Sequence, residues 1–234
     1  KVNVVGYDEY SDIAVLAVEK DKVISVATTG SSKNMRIGDT TFAVGTPVDS
    51  SIYSWSVTRG ILSGKNRMVQ VDNYVMSVLQ TDTAINSGNS GGPLCNANGE
   101  VIGITNMKLA SSQIEGMGFA IPIEDALKNA ETIISGKKIS RPYIGVSIYD
   151  ATNFFSGETG LYVEYVESNG PADKAGIKKG DKIIKVGDVE VSNSSYFRYQ
   201  LYKYDIGDKV KITVSRNGSE KTLTVTLTGS GSKN

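Results

Sequence analysis

The sequence predicts a mostly β protein that is divided into two domains. Its 234 residues exceed the roughly 100–150 of an ordinary single domain. Short apolar runs recur between turn residues, and the 25 glycines are well above the usual share of about 7%. One stretch of helical periodicity, at residues 123–134, divides these runs into an earlier and a later set.

The first unit is predicted to span residues 1–136. Runs typical of strands begin with VNVVGY at residues 2–7 and recur at residues 13–18, 23–27, 41–44, 75–79 and 101–105. Their short length and close spacing favour a β-barrel or sandwich over alternating βαβ units. A helix is expected after Pro122, because the apolar residues that follow share one face, and Gly136 can end it.

A second unit is predicted at residues 141–229, after a polar linker at 137–140 and before a polar tail at 230–234. Its strands are expected at residues 143–148, 160–166, 182–186, 209–215 and 221–227, and its helices at 171–175 and 194–203. The sequence RNGS at 216–219 carries the Asn-Gly signal of a tight β-hairpin. This unit has the elements of a complete small domain and is expected to fold alone.

Composition argues against several classes of function. Lys and Arg number 25 and so do Asp and Glu, so the formal charge is zero and a broad basic face for nucleic acid is not expected. No apolar run approaches the ~20 residues of a membrane span. The single cysteine, Cys95, rules out an internal disulfide, and neither a metal nor a cofactor is expected. The chain has no histidine, the commonest general base.

The segment GNSGGPL at residues 88–94 has the composition of a nucleophile turn. A reactive serine must project from a tight turn, and the glycines around Ser90 allow one. The backbone N–H groups of Gly88 and Ser90 would then hold the oxyanion of a tetrahedral intermediate. The same residues also fit a glycine-rich hairpin with an exposed serine. A phosphate-binding loop is disfavoured because no Gly-Lys-Ser/Thr follows.

Longer motifs surround this turn. Residues 81–94 read TDTAINSGNSGGPL, and they are followed by GEVIGI at 99–104 and GFAIP at 118–122. Upstream lie SDIAVLAV at 11–18 and VTRGILS at 57–63. In this order and spacing, the segments resemble the nucleophile, aspartate and strand motifs of the HtrA (Deg) serine proteases. The second unit is similar to the PDZ domain that follows the protease domain in this family.

The resemblance implies a trypsin-like, chymotrypsin-fold β-barrel protease domain followed by a PDZ domain. It places the catalytic serine at Ser90, the catalytic aspartate at Asp12, and the oxyanion hole at the N–H groups of Gly88 and Ser90. Taken alone, Asp12 also fits an aspartate that ends a turn before a buried strand. Asn89 stands where trypsin-like enzymes carry aspartate, so activation through an ion pair with a new N-terminus is not expected.

The resemblance also implies where a polypeptide substrate would bind. The primary specificity pocket would be lined by Ile85, Met107 and Lys108. Its apolar members favour a small or medium aliphatic side chain before the cleaved bond. Ile85 and Met107 equally fit plain core residues.

The start of the second unit resembles the carboxylate-binding loop of an HtrA PDZ domain. The loop consists of Tyr143, Ile144, Gly145 and Val146. Successive N–H groups around the glycine can cradle a peptide C-terminus, and the strand after them can pair with the peptide. An ordinary first strand is the alternative. Some side chains of the aromatic-rich run at 196–204 are expected to line the groove, with core packing favoured for Phe197 and Leu201.

A Ser–His–Asp mechanism needs an imidazole, which this chain does not contain. By resemblance, the histidine lies in an Asn-His-Val-like segment upstream of Asp12. Because the sequence begins at Lys1 within a predicted strand, we expect an N-terminally truncated protease domain with an incomplete first barrel, and an inactive chain. The alternative is a pseudoprotease, a non-catalytic protein that binds peptides through its PDZ domain or acts as a chaperone.

The resemblance implies a role for the whole protein in protein quality control. It would be a serine endopeptidase that cleaves misfolded or exposed polypeptides outside the cytoplasm, in the bacterial cell envelope. A membrane anchor or signal peptide would lie upstream of this chain. The partners implied are polypeptide substrates, peptide C-termini and further copies of the same protein, in a trimer of the intact protease.

Overall fold

The computed structural model describes residues 2–46, 56–71, 74–106, 116–137, 139–152 and 159–230. The chain divides into two compact units. The first comprises Lys1–Val71 with Met76–Ile139, and the second comprises Asp72–Val75 with Ser140–Asn234. Strands dominate both units, which confirms the prediction of a mostly β protein.

The first unit begins with a two-stranded antiparallel sheet. Strand β1 (Asn3–Asp8) pairs with β2 (Ile13–Ala17), and a short 3-10 helix follows at Lys20–Lys22. The predicted strand at residues 23–27 is wrong. Ile24 and Val26 are fully or mostly exposed, at 102% and 82%, and in the described part of the chain no strand pairs with this run. Alternating apolar residues form a strand only where a partner strand receives their hydrogen bonds.

A closed six-stranded barrel forms the body of the first unit. Its strands are β3 (Thr40–Gly45), β4 (Ser56–Val71), β5 (Tyr74–Thr81), β6 (Pro93–Cys95), β7 (Val101–Asn106) and β8 (Gly118–Pro122). Around the barrel they run in the order β3-β4-β5-β8-β7-β6. Ala43, Leu62, Leu79, Leu94 and Ile102 fill its interior and are almost inaccessible to solvent. Among the described strands, closure of the barrel leaves no edge that another element must cover.

Helix α1 (Ile123–Ile134) follows the barrel directly and confirms the helix predicted from periodicity. Pro122 precedes it, and Gly136, with a φ of +71°, follows its last turn. Glu124 in its first turn accepts hydrogen bonds from the hydroxyls of Ser31 and Ser32, at 2.8 and 2.6 Å. These bonds fasten the start of the helix to the segment before β3.

The second unit is built on a β-sheet with two helices. Its elements are β9 (Pro142–Tyr143), β10 (Val146–Thr152), β11 (Thr159–Val166), α2 (Pro171–Ala175), β12 (Lys182–Val186), β13 (Val189–Glu190), α3 (Ser194–Leu201), β14 (Lys209–Arg216), β15 (Ser219–Thr226) and β16 (Thr228–Gly229). The main sheet runs β10-β11-β12-β14-β15, β13 pairs with β12, and β9 pairs with β16. The predicted hairpin between β14 and β15 is confirmed, since Asn217 and Gly218 both have the positive φ of a type I′ turn.

The strand predicted at residues 143–148 is interrupted. It ends as β9 at Tyr143 and resumes as β10 at Val146. Between them Ile144 is turned into the core, at 2% exposure, and Gly145 has a φ of +80°. A left-handed residue cannot continue a β ladder, so the chain forms a loop at this point.

Candidate active site and peptide-binding groove

The turn that carries Ser90 is held by the side chain before it. Asn89 is buried, and its Oδ1 accepts a hydrogen bond from the Asn86 N–H at 2.8 Å, while its Nδ2 donates to the Ala84 carbonyl at 2.9 Å. The Asn89 N–H donates to the Asn86 carbonyl at 3.2 Å. Gly88 has a φ of +108°, which explains the glycine there. Ser90 itself is exposed at the surface of the turn.

Backbone hydrogen bonds attach this turn to the barrel. The Thr46 N–H donates to the Gly88 carbonyl at 3.0 Å, and the Gly91 N–H donates to the Thr105 carbonyl at 2.8 Å. The Thr105 hydroxyl donates to the Asn89 carbonyl. The packing is so close that a Cβ at Gly45 would overlap the Cα of Asn89. The ends of β3 and β7 therefore fix the position of the turn.

The predicted oxyanion donors lie on this turn. Within the described residues the Gly88 N–H donates no hydrogen bond, although its carbonyl accepts one. Its role as an oxyanion donor stays a prediction. Gly88 and Ser90 lie two residues apart on a turn whose conformation is fixed from both sides. The chemistry available to such a pair of amides is stabilisation of a developing negative charge.

Asp12 lies at the end of the turn between β1 and β2 and has a φ of +52°. Asp8 holds this turn, since its Oδ2 accepts hydrogen bonds from the N–H and the hydroxyl of Ser11 at 2.8 and 2.5 Å. Asp12 Oδ2 accepts a hydrogen bond from Nδ2 of Asn106 at 2.7 Å. The partner is buried, with 4% of its surface exposed. The carboxylate is therefore oriented by a group that is itself fixed in the barrel.

Asn106 was missed by sequence reasoning. It is the last residue of β7 and directly follows Thr105, which contacts the turn of Ser90. The end of β7 thus contacts both the turn of Ser90 and the side chain of Asp12, and a joint catalytic role for these two residues stays a prediction. The signal that could have found it is the pair of polar residues, Thr105 and Asn106, that ends the apolar run VIGI.

The predicted specificity pocket is described only in part. Ile85 is half-buried and packs against the barrel core, where its Cγ1 would lie 2.7 Å from a Cβ at Gly118. Met107 and Lys108 lie outside the described residues. Ile85 therefore has the position of a core residue at the edge of the barrel, and its role in a pocket stays a prediction.

In the loop at residues 143–146, the carbonyl groups of Ile144 and Gly145 accept hydrogen bonds from other residues of the second unit. The Ile144 carbonyl accepts a hydrogen bond from the Ala172 N–H at 2.8 Å, and the Gly145 carbonyl accepts one from the Glu167 N–H at 2.9 Å. In the described part of the chain, the N–H groups of Ile144 and Gly145 donate none. Adjacent amides without an internal acceptor are the donors that a peptide carboxylate needs.

A groove with a volume of about 410 Å³ lies between this loop, β10 and helix α3. One wall is supplied by Tyr143, Ile144, Val146 and Ile148. The other wall is supplied by Phe197, Arg198, Leu201 and Tyr202. Phe197 and Leu201 also belong to the core, as expected, with 2% and 3% exposure.

A polar contact joins helix α3 to strand β10 beyond the residues that line the groove. Ser194, the first residue of α3, donates its N–H and its hydroxyl to the two carboxylate oxygens of Asp150 on β10, each at 2.7 Å. The side chain of Asn193 caps the helix by accepting from the Tyr196 N–H at 2.8 Å. Helix and strand are thereby tied together at the end opposite the loop.

Comparison with known proteins gives two family matches. A trypsin-like peptidase domain matches residues 1–104, and a PDZ domain matches residues 142–227. These matches confirm the predicted order of a trypsin-like domain and a PDZ domain.

Relatives match both parts of the chain together. Serine protease Do-like HtrB of Bacillus subtilis is 42% identical, over 96% of this chain and 53% of the relative. A probable periplasmic serine endoprotease, DegP-like, of Rickettsia prowazekii is 37% identical, over 96% of this chain and 45% of the relative. The chain thus spans about half the length of these curated relatives. The solved structure of the HtrA-type protease AlgW with a decapeptide matches with a TM-score of 0.72 and 34% identity, over 97% of this chain and 71% of that chain.

Proposed function

Because the chain belongs to the HtrA family of trypsin-like serine proteases, we propose that it supplies the nucleophile half of a serine endopeptidase active site and a peptide-binding groove. The observation that carries the proposal is the anchored turn of Ser90 beside the strand end that holds Asp12. The substrates proposed are misfolded or exposed polypeptides, cleaved in protein quality control.

The proposed chemistry assigns one role to each group. Ser90 Oγ attacks the carbonyl carbon of the cleaved bond and gives its proton to an imidazole. The Gly88 and Ser90 N–H groups stabilise the oxyanion that forms. Asp12 orients the imidazole and stabilises its charged form. The imidazole then donates the proton to the leaving amine, and water hydrolyses the acyl-enzyme that remains.

The imidazole must come from outside this chain, because the chain has no histidine. We therefore expect the chain alone to lack triad catalysis. Ile85, Met107 and Lys108 are proposed to favour aliphatic residues before the cleaved bond. These assignments rest on the resemblance of the surrounding motifs to those of HtrA proteases.

The groove of the second unit is proposed to bind peptide C-termini, with the carboxylate on the N–H groups at residues 144–146. The relative of known structure that carries a decapeptide supports this role. A location outside the cytoplasm is proposed, and the relative named as a probable periplasmic endoprotease supports it. A homo-oligomer of the whole protease is proposed from the family resemblance alone. Among the described residues no helix is both long and apolar enough to span a membrane.

The test uses a chimera in which an Asn-His-Val-bearing segment of the HtrA type precedes this chain. We expect the chimera to cleave fluorescent casein, the chain alone to show no turnover, and Ser90→Ala or Asp12→Asn to reduce the rate of the chimera at least about 10³-fold. Full activity in either variant contradicts the role given to that residue. A folded but inactive chimera that still binds peptides favours the non-catalytic alternative.

A further inference from the structure

We propose that Thr58 is a positioning residue of the candidate active site. Its hydroxyl holds the segment that leads into the turn of Ser90, and so sets how the proposed oxyanion donors of that turn are presented to a substrate. The inference rests on the proposed function of Ser90 as the nucleophile of a serine endopeptidase. It adds a residue that acts through Ala84 and Asn89 rather than on the reacting atoms.

The contact joins the barrel to this segment through one carbonyl group. Thr58 lies on β4, where it pairs with Ala43 of β3, and its hydroxyl donates to the Ala84 carbonyl at 2.9 Å. The same carbonyl accepts a second hydrogen bond from Nδ2 of Asn89, also at 2.9 Å. A carbonyl oxygen has two lone pairs, so both donors can be bound at once. The Ala84 carbonyl therefore links a strand of the barrel to the residue that precedes Ser90.

Asn89 passes this constraint on to the turn. Its Oδ1 accepts a hydrogen bond from the Asn86 N–H at 2.8 Å, and its own N–H donates to the Asn86 carbonyl at 3.2 Å. Gly88 lies within the short loop that these bonds close. Asn89 is buried, with 4% of its surface exposed, so its side chain has little room for another rotamer. A shift of the Ala84 carbonyl would therefore displace Asn89 and, with it, the peptide groups on either side of Gly88.

The residues before Ala84 are held by contacts of their own. Three buried threonine hydroxyls are hydrogen-bonded to one another at 2.7–2.9 Å, those of Thr41, Thr81 and Thr83. Asp82 Oδ1 accepts a hydrogen bond from the Ile61 N–H at 2.6 Å. Loss of the Thr58 hydroxyl should therefore leave the barrel in place and loosen the chain from Ala84 to Asn89.

A small displacement of this turn matters more for catalysis than for folding. Oxyanion donors act only when they point at the position that the developing oxygen will occupy, and removal of one donor costs about 10²–10³-fold in kcat. A misplaced donor loses part of this effect. The Thr58 hydroxyl is half-buried and Ala84 is exposed, so loss of their bond should change the stability of the fold little. The effect is therefore expected in kcat rather than in KM or in the melting temperature.

The first experiment compares Thr58→Val with Thr58→Ser in the chimera that carries the Asn-His-Val segment. Valine keeps the branched shape of threonine but has no hydroxyl, whereas serine keeps the hydroxyl. We expect Thr58→Val to lower kcat roughly tenfold with little change in KM, and Thr58→Ser to retain most of the rate. The control is Thr132→Val on helix α1, which removes a hydroxyl bond of the same length, 2.9 Å, to the Lys128 carbonyl and should leave kcat unchanged.

Hydrogen–deuterium exchange of the chain without the added segment tests the contact independently of activity. The Asn86 and Asn89 N–H groups are both hydrogen-bonded within the turn. Peptides that cover residues 84–92 should therefore exchange severalfold faster in Thr58→Val and at the unmodified rate in Thr58→Ser and Thr132→Val.

The outcomes separate this inference from the proposed function. Unchanged exchange or an unchanged kcat in Thr58→Val overturns the inference, and so does an equal loss of kcat in Thr58→Ser. A chimera without turnover instead contradicts the proposed function, and the exchange experiment then decides alone whether Thr58 holds the turn.

Discussion

Arg216 is predicted to contribute strongly to the stability of the second unit. Asp181, which is fully buried, accepts hydrogen bonds from Nε and Nη2 of Arg216 at 2.6 and 2.8 Å, and from the Lys178 N–H at 2.9 Å. Nη2 also donates to the Gly176 carbonyl at 2.8 Å. The guanidinium thus joins the end of β14 to the turn between α2 and β12.

Arg216→Met removes the partner and leaves the buried carboxylate. Breaking one side of a buried pair costs roughly 3–5 kcal/mol, and we expect about 3 kcal/mol because the Lys178 N–H remains. Lys185→Met is the matched control. Its pair with Glu190, at 3.7 Å, is solvent-exposed and is worth about 0–1 kcal/mol.

Hydrogen–deuterium exchange of the full chain measures the change in stability within the second unit. The free energy of opening, determined for peptides that cover β12 and β14, reports on the second unit alone. A double variant, Arg216→Met with Asp181→Leu, should be more stable than the single variant because no charge stays buried. The reasoning is refuted if Arg216→Met lowers the free energy of opening by no more than Lys185→Met does. It is also refuted if the double variant is less stable than Arg216→Met alone.

The pair also has a predictable dependence on pH. Burial raises the pKa of Asp181, but the hydrogen bonds and charge of Arg216 outweigh it, and the pKa lies below its usual 3.8. A carboxyl whose pKa is lowered by folding stabilises the native state above its unfolded pKa, and this contribution is lost as the pH falls. The difference between the unmodified chain and Arg216→Met should therefore shrink below about pH 4.

Two further predictions concern the first unit. Partial burial of Glu124 opposes its ionisation, but hydrogen bonds from Ser32, its own N–H, Ser31 and the Lys33 N–H lower its pKa to about 2. Glu124→Gln should therefore lower the melting temperature at pH 6, and the decrease should become smaller as the pH falls from 4.5 to 2. The control, Glu131→Gln on the exposed face of the helix, should change the melting temperature little. A difference between Glu124→Gln and the unmodified chain that stays constant with pH contradicts the prediction. Gly45→Ala should destabilise the unit by about 1–3 kcal/mol, because its Cβ would overlap the Ser90 turn. An unchanged midpoint of urea unfolding would show that the Ser90 turn shifts to accommodate the added methyl group.

Local patterns predicted the elements that depend on local forces. Helix α1 has the predicted span of residues 123–134, because its apolar face and the Pro122 and Gly136 at its ends are all encoded within one segment. The β14–β15 hairpin follows in the same way from the Asn-Gly turn. The strand predicted at residues 23–27 is absent, since a strand needs a partner that its own sequence does not specify.

The candidate active site and the groove also combine features that local sequence predicts with contacts that only the folded structure defines. A tight turn at Ser90 was predictable, because the glycines around it can adopt the positive φ angles found at Gly88 and Gly91. The partner of Asp12 was not, since Asn106 lies 94 residues away and its contact depends on how β7 ends in the folded barrel. The place of Arg198 in the groove likewise required the helix to be positioned against β10.

The separation of Asp12 and Asn106 has a consequence for the order of folding. A contact that closes a loop of 94 residues carries a large entropic cost and forms after local contacts have formed. Asp12 is synthesised 94 residues before Asn106, and its carboxylate acquires this partner only once β7 has joined the barrel. During synthesis, the proposed active site would therefore remain unassembled until most of the first unit has left the ribosome.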